Sequence, residues 1–137
     1  MRKTTFFASM LLAIALLPGC QAKIDTDIRD SFVATYSVTE TWTENSKPIS
    51  KPAYAMSVVK SSQNNDMLLL NNFADYGAGV TAEATISGYF LTIPQQTLTN
   101  SKAITGTGKL TDPTLTFTYS ETYNSISIDI TATAKKK

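Results

Sequence analysis

Residues 113–134 read PTLTFTYSETYNSISIDITATA. Leu115, Phe117 and Tyr119 alternate with Thr114, Thr116 and Thr118. After a break at Tyr123-Asn124-Ser125, Ile126, Ile128, Ile130, Ala132 and Ala134 are set against Ser127, Asp129, Thr131 and Thr133. Alternation with period two is the signature of a strand that buries one face. A threonine-rich opposite face suits a pleated, solvated surface, because β-branched side chains favour the extended backbone. This stretch therefore reads as a hairpin of two strands with an apolar inner and a hydroxylated outer face.

The same pattern extends upstream. Phe32, Ala34, Tyr36, Val38, Glu40 and Trp42 share one face of a first segment, with Val33, Thr35, Ser37, Thr39 and Thr41 on the other. Val80, Ala82, Ala84 and Ile86 alternate with Thr81, Glu83 and Thr85. Breaks fall at Gln63-Asn64-Asn65-Asp66, at residues 75–79, at Ser87-Gly88 and at Thr111-Asp112-Pro113, where turn chemistry places them. The reading is about eight strands: 31–43, 53–62, 66–73, 79–87, 88–94, part of 96–110, 113–122 and 125–134. Pro94 cannot donate to a ladder and is expected at an edge, a bulge or a strand end. Gly106 and Gly108 share the face of Ile104 and Leu110, which suits close backbone approach or strong bending. Consecutive antiparallel strands on short turns predict an all-β, up-and-down barrel, since closure removes the exposed edges. A two-sheet β-sandwich is the alternative.

The chain begins Met1-Arg2-Lys3-Thr4-Thr5 and continues in an apolar run from Phe6 to Leu17. A basic start followed by a short apolar segment is the pattern of a secretory signal peptide. The run is too short to cross about 30 Å of hydrocarbon, which takes about 20 helical residues. It ends in Leu17-Pro18-Gly19-Cys20, which resembles the lipobox of bacterial lipoproteins. That resemblance implies removal of residues 1–19 and attachment of acyl chains at Cys20, so that the membrane is a partner through the N-terminal lipid. Gln21 follows the cysteine rather than an aspartate, which in some bacteria favours the outer membrane. Residues 20–30 are expected to be a lipidated cysteine and polar tether, with Asp25, Asp27 and Asp30 solvated rather than gathered around a cation. Residues 31–134 form the single domain, and 135–137 a solvated, mobile basic tail that could instead touch anionic headgroups.

The remaining composition excludes several chemistries. There is no histidine, so imidazole catalysis and histidine metal ligation are ruled out, and a lone cysteine rules out an intrachain disulfide framework. Twelve basic groups stand against 11 acidic ones. Losing Arg2 and Lys3 leaves 10 against 11, a balance that argues against nucleic acid as a partner. Asp66, Asp75, Glu83, Asp112, Glu121 and Asp129 mostly fall at turns or on outward parities and read as surface solubility. Gly106-Thr107-Gly108 precedes no helix and is no phosphate loop. No catalytic residue, metal ligand or cofactor is expected.

The body from about 31 to 134 resembles the lipocalin-like (calycin) barrels. Ala34-Thr35-Tyr36 stands where that family opens its first strand with glycine, any residue, then tryptophan. No arginine among residues 125–134 matches the one that family packs across the tryptophan, and its terminal helix has no counterpart. Eight strands enclose an interior that side chains just fill, or one that holds a single small ligand. Phe32, Tyr36, Trp42, Tyr54, Phe73, Tyr89, Phe117 and Tyr119 are the expected inward aromatics, enough volume to leave only a shallow mouth. Met56 and Met67 are read as gap-filling core residues. Glu40 and Asn71 are polar residues on parities that otherwise look buried. A buried carboxylate must be paired or hydrogen-bonded, so Glu40, Trp42, Tyr36 and Asn71 are the candidate ligand-binding residues. The expected function is a lipid-anchored envelope protein that binds a small amphipathic molecule or a glycan without catalysis. A structural or interaction lipoprotein working through contacts with an envelope protein is the alternative.

Overall fold

The computed structural model describes residues 26–137. Eight antiparallel strands run β1 (Ala34–Glu44), β2 (Lys47–Lys60), β3 (Met67–Asn71), β4 (Thr81–Ser87), β5 (Phe90–Thr97), β6 (Ala103–Thr111), β7 (Thr114–Tyr123) and β8 (Ile126–Lys136). Each pairs with its neighbours in sequence, and β8 returns to β1 over Tyr36–Trp42 to close the barrel. The up-and-down barrel is thus the architecture, and the sandwich is overturned by the β1–β8 ladder.

Alternation decides which residues fill the barrel. Tyr36, Val38, Met56, Val58, Leu91, Ile93, Ile104, Leu115, Phe117 and Ala132 are all buried. Gly106 and Gly108 face inward opposite Tyr119 and Phe117. A Cβ on Gly106 would lie 2.6 Å from the Cβ of Tyr119, and one on Gly108 2.5 Å from that of Phe117. Glycine is required there because β6 passes directly beneath the two aromatic side chains. Those rings meet Phe73 in one cluster, with the Phe73 and Tyr119 centroids 4.9 Å apart and edge-on.

The outer face carries a belt of hydroxyls. Thr85, Thr92, Thr107, Thr118, Thr131, Thr41 and Ser50 are successive cross-strand partners from β4 around to β2. The pattern is the inverse of a membrane-spanning barrel, whose outward residues form an apolar band about 25 Å tall.

Several sequence expectations are corrected. β2 begins at Lys47 rather than 53, because Asn45 and Ser46 both adopt positive φ and make a two-residue hairpin. Pro48 then pairs opposite Thr43, and Pro52 falls at the irregularity between Val38 and Glu40. Pro94 likewise occupies a register shift, where the Gln96 side chain bonds the backbone N–H and C=O of Glu83 in place of ladder bonds. Tyr89 is not inward: it lies at the β4–β5 turn and is 52% exposed, while Leu91 and Ile93 fill the core. In β3, Leu68 and Leu70 point in, so Met67, Leu69 and Asn71 lie on the outer, half-buried face.

The tether reading also changes at its end. Asp27 caps a 3-10 turn over Ile28–Ser31, and Arg29 folds back as a buried side chain. Its guanidinium donates to Asp27 and to the carbonyls of Ser61 and Asn64. Asp27 and Asp30 both pair with Lys60 rather than standing free in solvent. Residues 135–137 are no loose tail: β8 continues through Lys136, whose ammonium bonds the Ser31 carbonyl and Asp112, and the Lys137 N–H donates to Thr35. Cys20 and Asp25 lie outside the described residues.

Candidate functional site

Alternating strands give the barrel two unlike ends. The 3-10 turn at Ile28–Ser31, the turn after Lys60, the β4–β5 and β6–β7 hairpins and Lys137 share one end, which Phe32 closes. The hairpin at Asn45-Ser46, the segment 72–80, the turn 98–102 and the hairpin at Asn124-Ser125 ring the other.

Glu40 sits just inside this second end. The irregular pairing between β1 and β2 sets it opposite Lys51, as bulges at barrel rims commonly re-aim side chains. Its carboxylate is deeply buried, and Oε1 accepts hydrogen bonds from the hydroxyls of Tyr54 at 2.6 Å and Tyr119 at 2.9 Å. Oε2 faces the Lys51 ammonium at 4.0 Å. Lys51 in turn donates to the Ala74 carbonyl at 2.6 Å and lies over the rings of Tyr54 and Tyr76. Burial first, and the Glu40 charge second, push the phenol pKa values of Tyr54 and Tyr119 far above the usual range. Both hydroxyls therefore remain protonated donors to the carboxylate.

A second charged group closes the rim. Lys102 donates to Glu121 at 2.6 Å and to the Tyr76 hydroxyl at 2.8 Å, and the Tyr76 hydroxyl also meets Glu121. The Lys102 ammonium stands 4.2 Å from the Tyr76 ring centre. Desolvation raises the Glu121 pKa, with Glu40 adding to it, while desolvation lowers that of Lys102. Tyr76 reaches this position from a tightly folded segment in which Asn72, Ala74 and Asp75 all have positive φ. Such backbone is costly for non-glycine residues and is held here by Phe73 in the core and by Lys51 on the Ala74 carbonyl.

Between these groups lies an open cavity of about 330 Å³, walled by Trp42, Ile128 and Ile130 and floored by Glu40 and Tyr119. Its volume is at the small end of the range for ligand sites. One apolar wall faces a constellation of carboxylate, ammonium and hydroxyl groups. That arrangement accepts hydrogen bonds from hydroxyl or amine donors while an aromatic face packs against carbon.

Of the four candidate residues, the structure brings Glu40 and Trp42 together at this mouth. Tyr36 lies deeper, fully buried toward the closed end, with its hydroxyl donating to the Phe32 carbonyl at 2.8 Å. It is a core residue. Asn71 is on the outer face, where it accepts from Thr81, and takes no part. Lys51, Tyr54, Tyr76, Lys102 and Glu121 were missed. Glu121 shares the parity of Phe117 and Tyr119, a signal that the sequence does carry and that places it inward.

No family model and no curated protein matches the chain. A crystal structure of a Bacteroides fragilis protein provisionally described as an outer membrane protein superposes with a TM-score of 0.55 at 18% identity, over 81% of this chain and 53% of that one. The chain thus spans about half the length of that protein. A likeness at this identity is one of fold.

Proposed function

We propose that this chain is a lipid-anchored cell-envelope protein, attached through Cys20, that binds a small amphipathic molecule or a glycan at the open end of its barrel and catalyses no reaction. The observation that carries the reading is the buried Glu40 carboxylate, held by two tyrosine hydroxyls beneath an open cavity that Trp42 walls. A charge kept out of water needs such partners, and placing one under a mouth provides a directed polar contact. Trp42 supplies the face against which a sugar ring or an aliphatic segment packs. Binding rather than catalysis fits a carboxylate whose oxygen is already tied to two phenols.

Anchorage at the envelope is supported by two features. The lipobox-like residues before Cys20 supply an attachment point, and the hydroxylated outer belt is unsuited to lipid contact, so the barrel sits beside a bilayer and not within it. The fold likeness to a protein provisionally described as an outer membrane protein is compatible with that location.

The interaction-protein reading draws on the outer face. A depression of about 570 Å³ lies along Thr92, Pro94, Thr107 and Thr118, beside Gly106. A protein partner at this face would meet a threonine surface. Native mass spectrometry of the full chain, purified gently from envelope extract in detergent, separates the two readings. Binding at the mouth predicts a reproducible added mass that disappears in Trp42→Ala; a bare mass in the parent protein favours the outer face. Incorporation of labelled palmitate, lost in Cys20→Ser, tests the anchor independently.

A further inference from the structure

We propose that the closed end of the barrel is a docking face for the anionic surface of the bilayer that anchors the chain, so that the ligand mouth points away from the membrane. The inference rests on the lipid-anchor reading of Cys20 and adds to it an orientation. The described chain enters at the closed end, through Asp27 and the turn Ile28–Ser31. Six peptide units separate Cys20 from Thr26, and a chain advances at most about 3.6 Å per residue. A lipid on Cys20 therefore keeps the start of the domain within about 22 Å of the headgroups. Arg29 fastens that entry to the rim, through the carbonyls of Ser61 and Asn64, so the closed end is the one the anchor holds down.

The surface at this end fits what it would meet. Phe90 is 60% exposed and Tyr89 beside it 52%, at the tip of the β4–β5 hairpin. Aromatic side chains of this kind settle at the headgroup level of a membrane. Lys109 holds its ammonium 5.4 Å from the Phe90 ring centre, so a cation and an exposed aromatic side chain stand together. Lys135 and Lys137 are exposed at the same end, and with Lys109 they form no ion pair among the described residues. Counting every charge, the closed end sets Arg29, Lys60, Lys109, Lys135, Lys136 and Lys137 against Asp27, Asp30, Asp66 and Asp112, six basic groups to four acidic, whereas the mouth sets Lys47, Lys51 and Lys102 against Glu40, Glu44, Asp75 and Glu121, three to four. An anionic leaflet attracts the first end and repels the second. β1 spans 11 residues. At about 3.3 Å per residue and a tilt of about 40°, the mouth then opens on the order of 25 Å above the lipid surface.

Trp42 is the only tryptophan in the chain and lies at the mouth, which makes orientation directly measurable. The full acylated chain is reconstituted into vesicles of phosphatidylcholine, alone or mixed with phosphatidylglycerol, whose chains are brominated near the glycerol. Phe90→Trp is introduced in a Trp42→Phe background, with Tyr89→Trp as a second reporter should the first fold poorly. The docking face predicts that emission from position 90 is quenched roughly twofold on anionic vesicles, and less on neutral ones, while Trp42 of the parent protein is unaffected. Replacing Lys109, Lys135 and Lys137 with glutamine should reverse most of that quenching. Protein that floats with vesicles but leaves both reporters unquenched overturns the docking face and leaves the anchor standing. Quenching of Trp42 overturns it by placing the mouth against lipid. A chain that does not float at all overturns both the anchor and the face.

Discussion

The hydroxyl of Tyr54 on β2 and the carboxylate of Glu40 on β1 are joined by a 2.6 Å hydrogen bond, and Tyr119 on β7 reaches the same oxygen. β2 and β7 are not neighbours in the barrel, so the carboxylate ties together walls that no ladder connects. Removing it leaves two buried hydroxyls without their acceptor, each a loss of about 1–3 kcal/mol. Glu40→Ala should therefore lower the unfolding free energy by about 2–4 kcal/mol, and Glu40→Gln by about 1 kcal/mol, since an amide oxygen still accepts. Urea unfolding followed by circular dichroism measures both. A Glu40→Ala loss under about 0.5 kcal/mol would mean the cross-link is not the support described.

Alkaline pH should open the barrel. Burial pushes the Tyr36 phenol up to about 12 and those of Tyr54 and Tyr119 higher, against about 10 for a free phenol. A group whose folded pKa is raised contributes stability that is fully present below its unfolded value and is lost as the pH climbs through the folded one. Stability should hold up to about pH 10 and fall above it. Phenolate absorbance and far-ultraviolet dichroism, recorded together, should show these three hydroxyls ionising only as the fold is lost.

Gly106 has no room for a methyl group. Its Cβ would meet the Cβ of Tyr119 at 2.6 Å, and overpacking of this kind typically destabilises by about 1–3 kcal/mol. Gly106→Ala should fall in that range and should also weaken ligand retention, because the displaced Tyr119 carries the Glu40 hydrogen bond. Thermal unfolding and native mass spectrometry on the same variant check the two consequences. Unchanged stability would show that β6 relaxes outward freely.

The Asp27 carboxyl is held far below its ordinary value of 3.8, chiefly by its hydrogen bonds with Arg29. Such a group supports the fold above its unfolded pKa, and that support is lost only as the pH falls through the lowered one. The latch over Ile28–Ser31 should thus be insensitive to pH from about 5 to 8. Asp27→Asn should release it throughout that range. The amides of Phe32 and Val33, which donate to the Arg29 carbonyl, would then exchange with solvent markedly faster. Protection that persists in the variant would show that the Arg29 contacts to Ser61 and Asn64 suffice.

Local chemistry made most of the strands legible. Alternation from Phe32 to Trp42 and from Leu115 to Tyr119 marks inward faces, because side chains on a strand switch sides at every residue. β2 was harder to read: Pro48 and Pro52 interrupt the pattern, although Asn45-Ser46 is the same dipeptide that turns the last hairpin at Asn124-Ser125. In β3 every position from Met67 to Leu70 is apolar, so the reading that put Met67 and Asn71 on the inward parity had no polar alternation to check it, and pairing with β2 and β4 turned Leu68 and Leu70 inward instead. Asn71 went outward with that choice.

By itself, then, the sequence determined an all-β chain with a threonine-covered exterior, and it singled out Glu40 and Trp42 as companions on one inward face. Those properties follow from a period of two residues and need no knowledge of distant partners. Closure of β8 onto β1 is different in kind, because a ladder depends on which strands meet. Closure is what brings Glu121 of β7, Lys102 before β6 and Tyr76 after β3 to the rim beside Glu40. It also gathers the chain entry, Phe90, Lys109 and Lys137 at the opposite end. Residues so far apart in sequence become neighbours only when the curvature of eight paired strands is complete, and tertiary structure alone decides that.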